Sequence, residues 1–157
     1  MDSKIKSPQK LSRLLSRLRK KRKKIVFTNG CFDLLHVGHI RYLRRARALG
    51  DLLVIGLNTD KSVRALKGSG RPLTAQGDRA EILSALACVD FVTFFPEKTP
   101  ERLIRALRPD ILVKGGDWKK ERIAGGRFVE SYGGKVRSLP FIPGRSTTGL
   151  LDKIKKF

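Results

Sequence analysis

Two histidines three residues apart, His36 and His39, with Gly38 between them, are the side chains of this sequence best suited to chemistry. They follow the run Thr28-Asn29-Gly30-Cys31-Phe32-Asp33 and stand where a helical pattern begins, so both rings project to the same side. Gly38 lets another group come close to the backbone, and a helix start offers unpaired N–H groups and the positive end of its dipole. That combination suits a polyphosphate. The spacing alone leaves two other readings open: a metal site with Asp33 as third ligand, and a histidine that merely caps the helix. Near the other end of the chain, Ser146-Thr147-Thr148 opens a second helical segment. Hydroxyls there are ordinary caps, yet beside the first loop they would also grip the far end of a triphosphate.

The elements that must position these groups follow from the hydrophobic rhythm. Apolar runs predict strands at Ile25–Thr28, Leu52–Asn58, Phe91–Phe95, Ile111–Lys114 and Lys135–Leu139. Helical periodicity falls at Val37–Leu49, Ser62–Leu66, Ala75–Ala87, Pro100–Leu107 and Thr147–Lys156. Strands apolar on both faces and separated by helices indicate an α/β fold with a doubly wound parallel sheet. Ligands of such sheets bind beyond the carboxyl ends of the strands, at the point where strand order reverses. The expected site therefore lies after Thr28, Asn58, Phe95, Lys114 and Leu139. No G-x-G-x-x-G follows the first strand and no G-x-x-x-x-G-K-[ST] occurs, which disfavours dinucleotide oxidoreductases and Walker-type phosphotransferases.

Charge is the other pronounced feature. The 157 residues carry 35 Lys or Arg against 14 Asp or Glu, a formal net of +21. Such an excess invites a nucleic-acid reading, because neutralised phosphates release counterions. Nearly half of it, however, sits in residues 1–24, where Leu11, Leu14, Leu15 and Leu18 form one helical face among arginines and lysines. This reads as a basic amphipathic extension and linker, residues 1–24, preceding a main domain at 25–157. Its leucine stripe is expected to pack on that domain or on a second subunit. No interleaved aromatics accompany the charge, so no specific nucleic-acid partner is expected. The absence of a long apolar run gives no membrane span, and two cysteines fit a reducing compartment, so a cytoplasmic protein is expected.

Four segments together resemble the cytidylyltransferase-like nucleotidyltransferases: Thr28 to His39 with its H-x-G-H core, Lys67-Gly68-Ser69-Gly70-Arg71-Pro72, Leu112 to Trp118, and Ser146-Thr147-Thr148. Within that family the chain resembles the heptose 1-phosphate adenylyltransferase branch, from about Ile25 to Ile154. Phe141 supports this branch, since glycerol 3-phosphate cytidylyltransferases carry an arginine there. The resemblance implies a Rossmann-like sheet of the nucleotidyltransferase type and adenylyl transfer from ATP, with Mg²⁺, to a sugar 1-phosphate for lipopolysaccharide or another surface glycan. It further implies a homo-oligomer and a separate heptose kinase as supplier of substrate. His36, His39 and Lys67 would be the catalytic residues. Thr28, Asn29, Gly30, Cys31, Phe32, Gly38, Arg79, Gly116, Asp117, Trp118, Ser146, Thr147 and Thr148 would bind the nucleotide. Asp33 would orient a histidine or help with metal, and Asn58, Asp60 and Arg71 would hold or orient substrate. Plainer readings stand beside these: a surface lysine for Lys67, an exposed salt bridge for Arg79, simple packing for Trp118. An FAD synthetase or a glycerol 3-phosphate cytidylyltransferase is the alternative on the same scaffold; a non-catalytic nucleic-acid-binding protein is the alternative from another class.

Overall fold

A computed structural model describes residues 3–140, 143 and 147–156. Its centre is strand β1 (Ile25–Gly30), whose first four side chains, Ile25, Val26, Phe27 and Thr28, are all buried. A strand apolar on both faces needs a cover on each side. Here β1 pairs in parallel with β2 (Leu52–Asn58) and β4 (Ile111–Gly115), and β3 (Phe91–Phe95) and β5 (Lys135–Leu139) complete a parallel sheet in the order β3-β2-β1-β4-β5. Strand order reverses between β1 and β4. The doubly wound α/β class and the five strands expected from the sequence are those observed.

Helices α1 (Pro8–Lys20), α2 (Val37–Arg47), α3 (Asp60–Lys67), α4 (Gln76–Ser84), α5 (Glu101–Leu107), α6 (Gly126–Ser131) and α7 (Thr147–Ile154) connect or follow the strands. Two core clusters result. One joins Leu43 and Ala46 of α2 and Ala80 and Leu83 of α4 to the sheet; the other joins Leu103, Ile104 and Leu107 of α5 and Val129 of α6 to it. The leucine stripe of α1 belongs to the second cluster, with Leu11 and Leu15 fully buried. It packs against α5 and the sheet, and Arg19 fixes it further by donating to the carbonyls of Leu107 and Arg108. Ile5 adds a parallel bridge to Val92 beside it. The positive charge of α1 is therefore carried on its outer side, where Arg13, Arg17 and Lys20 are exposed.

Several boundaries differ from the sequence pattern for local reasons. Helix α3 starts at Asp60 instead of Ser62, because the Thr59 side chain caps the Ser62 amide. Helices α4 and α2 stop at Ser84 and Arg47, short of Ala87 and Leu49. Helix α6 went unpredicted, since Gly125-Gly126 and Gly133-Gly134 bracket it and read as loop. Among the described residues no helix is long and apolar enough to cross a membrane.

Candidate active site

The reversal of strand order opens the site physically. Strands β1 and β2 stay in register from Ile25↔Leu52 to Gly30↔Leu57, whereas β1 and β4 pair only at Val26↔Ile111 and Phe27↔Leu112. Beyond that point the two strands separate. Tyr42 of α2 stands in the gap: its hydroxyl shares a 2.6 Å hydrogen bond with Thr28 Oγ1 on β1 and lies 3.5 Å from the Val113 carbonyl oxygen on β4. Burial pushes the Tyr42 hydroxyl up to about 12 despite the Thr28 hydrogen bond, so it remains a neutral strut.

A cavity of about 910 Å³ lies over this opening. That is ample for a nucleotide and a second small substrate. The β1 loop forms one wall through Asn29, Gly30, Cys31, Phe32 and Asp33, and the α2 start adds His36, Gly38 and His39. Gly30 is needed where it stands: a Cβ there would meet the Phe32 ring at 2.9 Å. Asn58 and Lys67 face the cavity from the β2 side, Trp118 from the β4 side, and Thr147 and Thr148 from the start of α7. Thr147 Oγ1 donates to the Leu34 carbonyl at 3.4 Å, so two helix starts converge on one space.

The histidine rings lie tilted against each other, centroids 3.9 Å and planes 33° apart, with Phe32 edge-on to His39 at 5.4 Å. His36 is the cap of α2: its Nδ1 accepts from the Gly38 N–H at 3.1 Å. In the neutral ring the proton is therefore on Nε2, a donor. Capping and ligand contact are compatible roles of one side chain. Burial, with His36 and Lys67 adding positive charge nearby, pushes His39 down to about 4. Its Nδ1 is buried with no hydrogen-bond partner among the described residues. A buried polar atom of that kind is what an incoming ligand can satisfy.

A pH dependence follows. Between pH 6.5 and about 4 the unfolded chain protonates His39 while the folded chain resists it. The stability this neutral ring allows is complete above 6.5 and is lost as pH falls to about 4. Urea midpoints are thus expected to decline with acidification across that window, and His39→Gln to flatten the decline. An equal slope in the variant would contradict the assignment. Asp33 acts lower: burial raises its carboxyl, but the Leu73 and Thr74 amides and Arg71 outweigh this and hold it below 3.8, so its contribution is lost beneath that pH.

Six expected site residues do not line the cavity. Thr28 is buried and braces Tyr42. Arg79 is neither on the cavity wall nor in an exposed salt bridge. It is 1% exposed, and its guanidinium donates to the Cys31, Asn58 and Thr74 carbonyls and to Asp60. Asp60 and Arg71 are likewise engaged within the protein, Arg71 at 2.6 Å from Asp33. Gly116, at φ 104°, and Asp117 shape the turn after β4 without reaching the wall. Asp33 lines the cavity, and its oxygens accept from Arg71 and from the amides of Leu73 and Thr74, tying the β1 loop to the segment after α3. Ser146 and Phe141 lie outside the described residues.

The wall also holds residues the sequence reading passed over, notably Lys98, Lys114 and Arg122. Lys114 had a signal, its place at the carboxyl end of β4. Trp118, 46% exposed, is fixed by its Nε1–H donating to the Gly115 carbonyl. Among the described residues no group of three His, Cys, Asp or Glu is placed to hold a metal ion.

The cytidylyltransferase-like family matches residues 27–136. The chain is 55% identical to the bifunctional protein HldE of Geotalea uraniireducens and 56% identical to that of Syntrophotalea carbinolica, with 98% of this chain covered, so the basic helix is included in the match. The chain spans about a third of the length of these curated relatives, 31% in both cases. Among solved structures, a lipopolysaccharide core biosynthesis protein from Thermoplasma volcanium is similar at 27% identity and a TM-score of 0.61, over 76% of this chain and 97% of that one. A pantoate-beta-alanine ligase from Francisella tularensis shares the fold at 14% identity and a TM-score of 0.64, over 98% of this chain and 78% of that one.

Proposed function

Because the chain belongs to the cytidylyltransferase-like family of nucleotidyltransferases, we propose that it transfers the adenylyl group of ATP to D-glycero-β-D-manno-heptose 1-phosphate, giving ADP-heptose and pyrophosphate. The observation that carries this reading is the convergence of the α2 and α7 starts, with the His36–His39 pair, on one cavity at the β1/β4 opening. The heptose acceptor is supported by the Lys67 to Pro72 and Leu112 to Trp118 segments and by the HldE relatives.

The reaction asks little covalent work of the protein. A phosphate oxygen of the acceptor, already ionised near neutral pH, forms a bond to the α-phosphorus as the bond to the β-phosphate oxygen breaks. No proton is abstracted, and pyrophosphate leaves with the electron pair. Alignment and stabilisation of charge on the α-phosphoryl group and the leaving pyrophosphate are what remain. His36 and His39 donate to the phosphates, Lys67 lends positive charge beside them, and Thr147 and Thr148 hold the far phosphates. A triphosphate placed against His39 favours its charged form and raises its pKa on binding. Magnesium enters with ATP as part of the substrate. A kinase reaction must supply the heptose 1-phosphate, and the protein acts in the cytoplasm as a homo-oligomer. Pyrophosphate release from ATP in the presence of heptose 1-phosphate tests the reading; release only with another nucleotide and acceptor would replace it with a sister activity.

A further inference from the structure

The cavity wall carries four side-chain cations among the described residues, Lys67, Lys98, Lys114 and Arg122, against a single carboxylate, Asp33, whose oxygens are engaged by Arg71 and two loop amides. The cations are not equivalent. Lys67 is close enough to His39 to act on its charge and so belongs to the triphosphate end. Lys98 and Arg122 are exposed, as most such side chains are. Lys114 is half-buried at the end of β4, beyond the point where β4 and β1 separate. Its ammonium lies 5.7 Å from the centroid of the Trp118 ring, and none of the ion pairs among the described residues includes it. Burial pushes its pKa down, only partly offset by the neighbouring Cys31. A partly desolvated cation without a counterion is costly unless an anion arrives.

Adenylyl transfer creates that need, and this inference rests on the functional reading above. A doubly charged sugar phosphate must be brought against a triphosphate, and like charges at bonding distance repel strongly. The triphosphate is met by the histidines, Lys67 and the α7 start. The second anion requires a cation across the opening, on the other strand. We propose that Lys114 binds the phosphate group of the acceptor. The Trp118 ring and the β1/β4 gap hold the ammonium in place, so the acceptor oxygen is presented from the β4 side toward the phosphates lying along the β1 loop.

Trp118 is the sole tryptophan, so its fluorescence reports directly on this corner. The protein is saturated with α,β-methylene ATP and titrated with inorganic phosphate, the part shared by any phosphate acceptor. In Lys114→Met the half-saturating phosphate concentration is expected to rise at least about tenfold, the usual loss for a hydrogen bond to a charged group. Half-saturation by the analogue itself should stay within about threefold, as for a change that does not touch it. Lys114→Arg should recover most of the phosphate affinity. If the Met variant fails to fold, Lys114→Gln is held to the same two criteria. No phosphate response in the wild type, an unchanged phosphate affinity in the variant, or equal weakening of phosphate and analogue would each overturn the assignment. Wild-type turnover with ATP and heptose 1-phosphate is measured separately: its absence sinks the functional reading, while the phosphate titration still decides the role of Lys114.

Discussion

His39→Ala is expected to lower turnover at least about a hundredfold, the scale observed when a preorganised donor to developing charge is removed. The ring is held in the cavity by His36 on one side and the Phe32 edge on the other, so it cannot be replaced by a mobile neighbour. It is neutral in the ligand-free site, pushed down to about 4 by burial and by the charge of His36 and Lys67. In the proposed reaction a bound triphosphate favours the charged form of the ring, which would then donate where the α-phosphoryl group and pyrophosphate accumulate negative charge. His39→Gln, which keeps an N–H donor without the titration, should retain more turnover than alanine. Both variants should fold, since the removed ring contributes a buried nitrogen with no partner among the described residues. Near-normal turnover in the alanine variant would remove His39 from the chemistry.

Arg79→Ala is expected to act through stability. The guanidinium draws together three carbonyls from separate parts of the chain, Cys31 in the β1 loop, Asn58 at the end of β2 and Thr74 before α4, and pairs with Asp60 at 2.7 Å. Its removal leaves those acceptors without their donor and Asp60 without its partner. The expected cost is about 3 kcal/mol or more, a large share of the roughly 5–15 kcal/mol that holds a domain together. The urea midpoint should fall accordingly. Whatever protein still folds should bind ATP more weakly, because Cys31 and Asn58 lie on the cavity wall. Arg79→Lys should recover part of the stability, since one ammonium cannot reach the positions of a planar fork. A wild-type urea midpoint in Arg79→Ala would show that the hub is dispensable.

Arg79 also marks where sequence reasoning stopped. An arginine on a short helix is by default exposed, and the carbonyls it serves lie 48, 21 and 5 residues away. Nothing local says that they converge. Asp33 is similar: its neighbours in sequence are the histidines, yet its partners are Arg71, Leu73 and Thr74, some 40 residues on. What the sequence does carry is periodicity. The apolar runs of β1 to β5 fix the parallel sheet, the position rule for such sheets fixes the end at which ligands bind, and the H-x-G-H spacing places both rings on one helix start. The leucine spacing of α1 likewise announces a packed face, although not that Leu11 and Leu15 would share a cluster with Phe27 and Val54. The role of Thr28 as a brace was hidden for a further reason: it depends on Tyr42, whose place between β1 and β4 follows from how the two strands separate.

Adenylyl transfer to heptose 1-phosphate is tested by pyrophosphate release from the purified protein with each nucleoside triphosphate and each candidate phosphate acceptor in turn. Turnover with ATP and D-glycero-β-D-manno-heptose 1-phosphate is expected, and its loss in His39→Ala. Strong turnover with CTP and glycerol 3-phosphate, and none with ATP and heptose 1-phosphate, would contradict it.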